Sequence, residues 1–290
     1  MKITRRLFFP TFLCGLLLAA IPAPAGPIPD DCKTGGFAIG CQAWTFNHYS
    51  VIEAIDKTAE AGGKVIEFFP GQKLSAEKSG IKFDHNASDE TIAEVQAHLK
   101  QRGIRAVNYG VVDIPKDEAA ARKVFEFARK LDLYGITTES VGSIDTIEKL
   151  VKEYGICVGF HDHPRRSDAP DYKMWDPNYI LSVVKDRDPR IGSTADTGHW
   201  VRSGLNPIDC LKILRGRIIS AHLKDLNETS PDAHDVPFGT GVSNIPGILE
   251  ELKSQNFAGN ISIEYEYNWE NNVVDAAQCV GFVRGYGAKK

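Results

Sequence analysis

The feature that most restricts the fold is a regular alternation. Short apolar runs rich in Val, Ile and Phe take turns with stretches of helical periodicity along nearly the whole chain. The runs predict strands over 37–46, 65–69, 104–112, 136–140, 156–161, 191–196, 218–223 and 261–266. Between them, helices are predicted over 51–61, 88–101, 116–133, 144–154, 176–184, 207–214, 244–254 and 272–284. Gly62-Gly63, Pro70-Gly71 and Arg102-Gly103 supply the breaks. Ser88-Asp89-Glu90-Thr91 reads as a helix start with acids in its first turn. Two longer stretches, 72–87 and 225–243, read as loops. Eight β-α units without a composition break predict one α/β domain, a (β/α)8 TIM barrel. A doubly wound sheet would want a Gly-rich turn after the first strand, and Gln42-Ala43-Trp44-Thr45 is not one.

Residues 1–25 stand outside this pattern and read as an export signal. Lys2, Arg5 and Arg6 form a positive start, Leu7 to Ile21 is apolar, and Ala23-Pro24-Ala25 is a small-x-small cleavage site. The domain is therefore expected over 26–290. The apolar run is short for a membrane span, so no membrane contact is expected after cleavage. Thr4-Arg5-Arg6-Leu7-Phe8-Phe9 resembles the twin-arginine motif, which exports folded proteins and implies a periplasmic location. An ordinary secretory signal is the alternative.

Removing the signal takes the formal net charge from −4 to about −7. An acidic domain lacks the basic surface that nucleic acids need, which argues against an endonuclease on this fold. It suits an enzyme or binding protein for a small molecule, alone or as a homo-oligomer. Five cysteines remain, Cys32, Cys41, Cys157, Cys210 and Cys279, with no CxxC pair to hold zinc. Cys41 and Cys157 sit in apolar strand patterns and read as buried thiols. Cys32 with Cys41 is the candidate disulfide.

The active face of a (β/α)8 barrel lies at the C-terminal ends of its strands, and polar side chains collect there. The fourth strand ends in Glu139 and the fifth in Phe160-His161-Asp162-His163-Pro164. The sixth ends in Ser193-Thr194-Ala195-Asp196, breaking at Gly198, with His199 three residues beyond the acid. The seventh carries Ala221-His222-Leu223-Lys224-Asp225 and the eighth Ile263-Glu264-Tyr265-Glu266. Alternation puts His161 with His163, His222 with Lys224, and Glu264 with Glu266 on shared faces. Burying such groups unpartnered costs on the order of several kcal/mol, which a central cation offsets. Imidazole and carboxylate donors from four successive strands suit Mn²⁺, Co²⁺ or Zn²⁺. Local roles compete: His163 hydrogen-bonding a ligand, Lys224 pairing with an acid, Glu266 solvated. The Gly-rich stretch 237–241 lacks the P-loop lysine pattern and reads as a mobile lid. Arg165-Arg166 either meets an anion or faces water.

The strand ends, above all Asp196-Thr197-Gly198-His199, Ala221-His222-Leu223-Lys224-Asp225 and Ile263-Glu264, resemble those of the xylose isomerase-like TIM barrels, the sugar phosphate isomerases and epimerases. The resemblance covers nearly the whole mature chain. It implies metal ligands at His161, Asp196, His222 and Glu264, and a substrate-binding His199. The fifth strand departs from the pattern, because better-known ketose epimerases carry Glu where His161 stands. Histidine still ligates metal, but a proton transfer shared between two glutamates does not carry over. Glu139 is the first choice to replace the missing carboxylate, ahead of Lys224 and His163.

Such a site abstracts a proton next to a carbonyl, with the metal stabilising the enediolate. Glu264 is the expected base, and Glu139 or Lys224 returns the proton. His199, His163 and Lys224 orient hydroxyls. Trp44, Phe46 and Trp200 form an apolar wall, with barrel filling as the alternative for Trp44 and Phe46. The expected function is a sugar isomerase or epimerase using Mn²⁺ or Co²⁺, with Zn²⁺ or Mg²⁺ as substitutes. One rival is a lyase or hydratase on 3-keto-glycosides, which His161 and the export signal favour. Another is a non-catalytic exported sugar-binding protein.

Overall fold

The computed structural model describes residues 27–288, so the export signal expected at 1–25 lies outside the described residues. Eight parallel strands build the barrel: β1 (Ala38–Gln42), β2 (Val65–Phe68), β3 (Arg105–Tyr109), β4 (Gly135–Thr138), β5 (Cys157–His161), β6 (Ile191–Asp196), β7 (Ile218–Leu223) and β8 (Asn260–Ile263). They close in the order β1-β8-β7-β6-β5-β4-β3-β2, each strand paired with its neighbours in sequence and β8 returning to β1. The predicted (β/α)8 barrel is the fold.

The helices begin where the chain supplies caps. In α1 (Val51–Glu60), Ser50 and Glu53 form a reciprocal capping box. In α2 (Asp89–Arg102), the Ser88 hydroxyl accepts from the Thr91 amide, and Gly103 ends the helix at φ 68. Asp117 caps α3 (Glu118–Lys130), which makes it shorter than the predicted 116–133. α4 spans Ile144–Tyr154, α5 Pro177–Val184 after the Asp176 cap.

One helix was not expected. β6 does not break at Gly198; it passes directly into α6 (Thr197–Arg202), with Asp196 as N-cap. The His199 amide donates to Asp196 Oδ1 at 2.8 Å, so one carboxylate oxygen holds the helix and the other is free for the site. α7 (Pro207–Ile213), α8 (Ile245–Ser254) and α9 (Val273–Ala288) complete the layer.

The two long loops carry short antiparallel pairs, Gln72–Lys73 with Lys82–Phe83 and Asp225–Leu226 with Asp235–Val236. The stretch 237–241 is anchored rather than a free lid. Gly239 and Gly241 donate their amides to Asp225 Oδ2 at 2.8 and 3.0 Å, and Phe238 is buried.

Strand alternation divides the core in two. Ile39, Cys41, Ile66, Phe68, Phe160 and Ile263 are among the side chains buried against the helix layer, where each fully buried large apolar group stabilises by about 1.5–3 kcal/mol. Phe46 belongs to this core, which corrects its expected place at the cavity wall. The barrel interior is instead polar. Ser262 and Thr137 donate to Glu67 at 2.6 and 2.9 Å, Thr194 meets Ser220 at 2.8 Å, and Asn108 donates to Ser220 at 3.2 Å. Gly159 makes room there, since a Cβ at its position would lie 2.1 Å from Thr194 Oγ1.

Cys32, Cys41, Cys157, Cys210 and Cys279 are all free thiols. No Cys32–Cys41 bond forms, because Cys41 is turned into the helix-side core while Cys32 packs with Ala38 and Val65. Cys157 is part-exposed rather than buried.

Candidate active site

Four strand ends converge. His161 closes β5, Asp196 closes β6, His222 sits opposite Asp196 on β7, and Glu264 follows β8 directly. One donor atom from each of His161, Asp196, His199 and Glu264 lies within 4.8 Å of the others, and all four residues are buried. Glu139, His161 and His163 form a second such group, with His161 shared. His222 stands beside the first group, its Nδ1 3.3 Å from Glu264 Oε2 and 3.1 Å from His161 Nε2. Its Nε2 lies 3.1 Å from Glu67 Oε2.

Lys224 is buried among carboxylates. Its Nζ lies 2.8 Å from Asp196, 2.7 Å from Glu264 and 2.9 Å from Glu266. Gly198 admits the lysine stem, because a Cβ there would sit 2.6 Å from Lys224 Cβ. Arg202 extends the network, reaching Glu266 at 3.1 Å, Asp235 at 3.2 Å and His199 Nδ1 at 3.3 Å.

These contacts set the charges. Burial pushes the Asp196 and Glu264 carboxyls up, but the surrounding cations outweigh it and hold both well below the usual range. Burial pushes Lys224 down, and Asp196, Glu264 and Glu266 reverse that and raise it. His161 is brought up to about 9, burial being overcome by Asp196 and Glu139. His222 is raised against burial by Glu67 and Glu264. His199 goes the other way, because burial dominates and keeps the imidazole neutral. Burial raises Glu139 too, but His161 and His163 hold it down as a carboxylate. Asp162 is raised by burial and then by the Asp196 charge.

The residues fit a divalent cation. His161 Nδ1 is buried without a hydrogen-bond partner. Asp196 Oδ2 has no hydrogen-bond partner and faces Lys224 Nζ and ring nitrogens of His199, His161 and His222 at 2.8 to 3.9 Å. Mixed imidazole and carboxylate donors are what Mn²⁺, Co²⁺ and Zn²⁺ take.

A cavity of about 290 Å³ opens over this centre. Trp44, Phe69, Pro70 and Val111 give it apolar sides, and His161, His163, His199, Glu264 and Glu266 give it polar ones. Trp44 is 39% exposed and meets Phe69 edge-on at 5.0 Å, as expected for a wall residue. Trp200 is not a wall residue: it is 1% exposed in the helix-side core, to which α6 turns it. Glu139 stands behind His161 and His163, taking hydrogen bonds from His163 Nδ1 and, at 3.0 Å, from the Tyr172 hydroxyl. Arg165 and Arg166 lie over the Trp175 and Tyr172 rings at 5.1 and 4.9 Å, as cation–π partners.

Several residues that shape the centre were not anticipated. Glu67 had a signal, as the lone charge within Val65-Ile66-Glu67-Phe68, a strand otherwise apolar. Asp162 had one too, lying between two histidines; its Oδ1 accepts from the Asp196 amide at 2.9 Å. Arg202 and Asp235 gave none, because an unpredicted helix and a short hairpin bring them together.

A TIM barrel with buried histidines and carboxylates gathered at its C-terminal strand ends is the class that fold and site define. Residues 137–281 match the family model of the xylose isomerase-like TIM barrel, and the chain belongs to that family. A structure from Parabacteroides distasonis, described as a putative uncharacterized protein, is 31% identical with a TM-score of 0.69, over 86% of this chain and 99% of that one. A D-tagatose 3-epimerase-like protein shares the fold at 20% identity and a TM-score of 0.66, over 86% and 96% of the two chains. The uncharacterized protein MJ1311 of Methanocaldococcus jannaschii is 29% identical over 155 residues, 52% of this chain and 49% of that protein. The chain spans about half the length of the curated relatives it matches.

Proposed function

We propose that the protein is a divalent-metal-dependent sugar isomerase or epimerase, acting outside the cytoplasm, that moves a proton at the carbon next to a carbonyl. The observation that carries this reading is the cavity, which presents an apolar wall on some sides and His161, His199 and Glu264 together on others. His161, Asp196, His222 and Glu264 would hold Mn²⁺ or Co²⁺, which supplies Lewis-acid polarisation of the carbonyl.

The tautomers divide the histidines between two jobs. The Arg202 guanidinium only donates, so His199 Nδ1 accepts from it and Nε2 carries the proton. His199 then offers an N–H to a substrate hydroxyl. Glu67 Oε2 lies 3.1 Å from His222 Nε2, a charged contact outside hydrogen-bond alignment that draws the imidazolium charge to that side, while Nδ1 faces the site. Glu264, held ionised at the cavity wall, is the base. Lys224 keeps the three carboxylates together and Trp44 takes the apolar face of the sugar.

The test is chelation, reloading with Mn²⁺ or Co²⁺, and incubation in D₂O with free ketoses and aldoses. NMR is expected to show deuterium at the carbon next to the carbonyl, with the skeleton intact, only in the loaded enzyme. A second reading is elimination from a 3-keto-glycoside. It is favoured by the histidines at the cavity wall where a second carboxylate would stand, His161 and His163 in front of Glu139. A histidine outside the proposed ligand set, His163, suits a departing oxygen, and release of the aglycone would mark this reaction. Absence of metal-dependent turnover on either substrate class would leave a sugar-binding protein.

A further inference from the structure

We propose that a groove beside the catalytic cavity binds a second sugar ring, so that the substrate carries a further ring beyond the one that reacts in the cavity. This rests on the reading of the cavity as a sugar site. The groove encloses about 690 Å³, and residues adjacent in the chain line the two spaces, with no lining residue in common. Trp44 lines the cavity and His48 the groove; Glu264 and Glu266 line the cavity, Tyr265 and Tyr267 the groove. Successive side chains after β8 thus alternate between the two spaces.

The groove has the chemistry of a neutral polyhydroxyl site. Its rings are paired, with His48 stacked on Trp269 at 5.7 Å and His234 tilted against Tyr267 at 4.3 Å. Tyr267 is 48% exposed. Flat rings of this kind take the C–H face of a pyranose. No lysine or arginine is among the described residues lining it, which disfavours a phosphate or carboxylate ligand. Glu270 is taken by His48 at 2.9 Å and Asp275 by Asn268 at 3.3 Å, which leaves no free acid pair for a cation.

One acceptor is unsatisfied. Asp235 is 1% exposed; its Oδ2 takes Arg202 and the Glu266 amide at 3.2 and 3.3 Å, while its Oδ1 is buried without a partner. Buried polar atoms are rarely left so, and Asp235 lines the groove, so a sugar hydroxyl completes this oxygen once a neighbouring side chain moves aside. The same carboxylate connects through Arg202 to His199 and Glu266, so a ring in the groove bears on the cavity.

The test is calorimetric titration of the full chain with Mg²⁺ present. One-ring probes are the methyl glucosides. Two-ring probes are methyl β-cellobioside, methyl α-maltoside and methyl β-lactoside. At least one two-ring probe is expected to bind about tenfold tighter than the one-ring probes, the loss of a stacking contact being of this size. Trp269→Ala and Tyr267→Ala should each remove that gain and leave one-ring affinity unchanged. Tyr267→Ala alters a half-exposed side chain, which keeps the test independent of folding at Trp269. Two-ring probes no tighter than one-ring probes, or a gain that survives both variants, would overturn the proposal. His199→Gln separates the two readings: loss of one-ring binding there with the gain untouched by Trp269→Ala sinks the groove alone. No effect of His199→Gln, with the gain lost in Trp269→Ala, keeps the groove and sinks the cavity reading.

Discussion

His222 Nε2 lies 3.1 Å from Glu67 Oε2, both side chains wholly buried at the centre of the barrel. Glu67 is itself held by Ser262 on β8 and Thr137 on β4, so its position is fixed from across the barrel interior. The carboxylate is thus a charged neighbour of Nε2, outside hydrogen-bond alignment, while Nδ1 faces Asp196 and Glu264. Replacing such a partner weakens metal binding about 10–100-fold. Glu67→Gln is expected to lower Co²⁺ affinity by that amount, read from the visible absorption of Co²⁺ during titration. An unchanged isotherm would show that Glu67 only fills the barrel.

Lys224 predicts a different effect. Removing a buried charge from its partners costs about 3–5 kcal/mol, and here three carboxylates would be left facing one another. Lys224→Met should lower the stability of chelated protein by that order in urea unfolding. Added Mn²⁺ should restore part of the loss, because a cation then neutralises Asp196 and Glu264.

His161 gives the pH dependence. Its value rises from the ordinary 6.5 to about 9, as Asp196 and Glu139 outweigh burial. A raised value means that the folded chain holds the proton more tightly than the unfolded one. The stabilisation is thus complete below about pH 6.5 and is lost as pH climbs to about 9 in chelated protein. Metal must displace that proton, so Mn²⁺ affinity should rise by up to about tenfold per unit from pH 7 toward 9 and then level. Titrations across that range check both slopes.

The two tryptophans first read alike should separate. Trp44 faces the cavity, so Trp44→Ala should raise KM several-fold with little change in melting temperature. Trp200 lies in the helix-side core, and Trp200→Ala should cost about 3–5 kcal/mol of stability.

The barrel was legible because each β-α unit carries its own periodicity, and the strand-end residues were legible because alternation fixes which neighbours share a face. His161 with His163, and Glu264 with Glu266, follow from that rule alone. Trp200 was misplaced because α6 begins immediately after Asp196, and six residues with a glycine in second place give no helical signature. Arg202 and Asp235 meet only in three dimensions. Glu67 was overlooked as one charge in an apolar strand, although a charge in a buried strand requires a partner.

The most direct test of the account follows solvent deuterium in metal-loaded parent protein and Glu264→Gln, with substrates that the parent turns over. Metal-dependent deuterium at the carbon next to the carbonyl is expected in the parent and is expected to be lost in the variant, while the variant stays folded by circular dichroism. Exchange that persists in Glu264→Gln would contradict the assignment of Glu264 as the base.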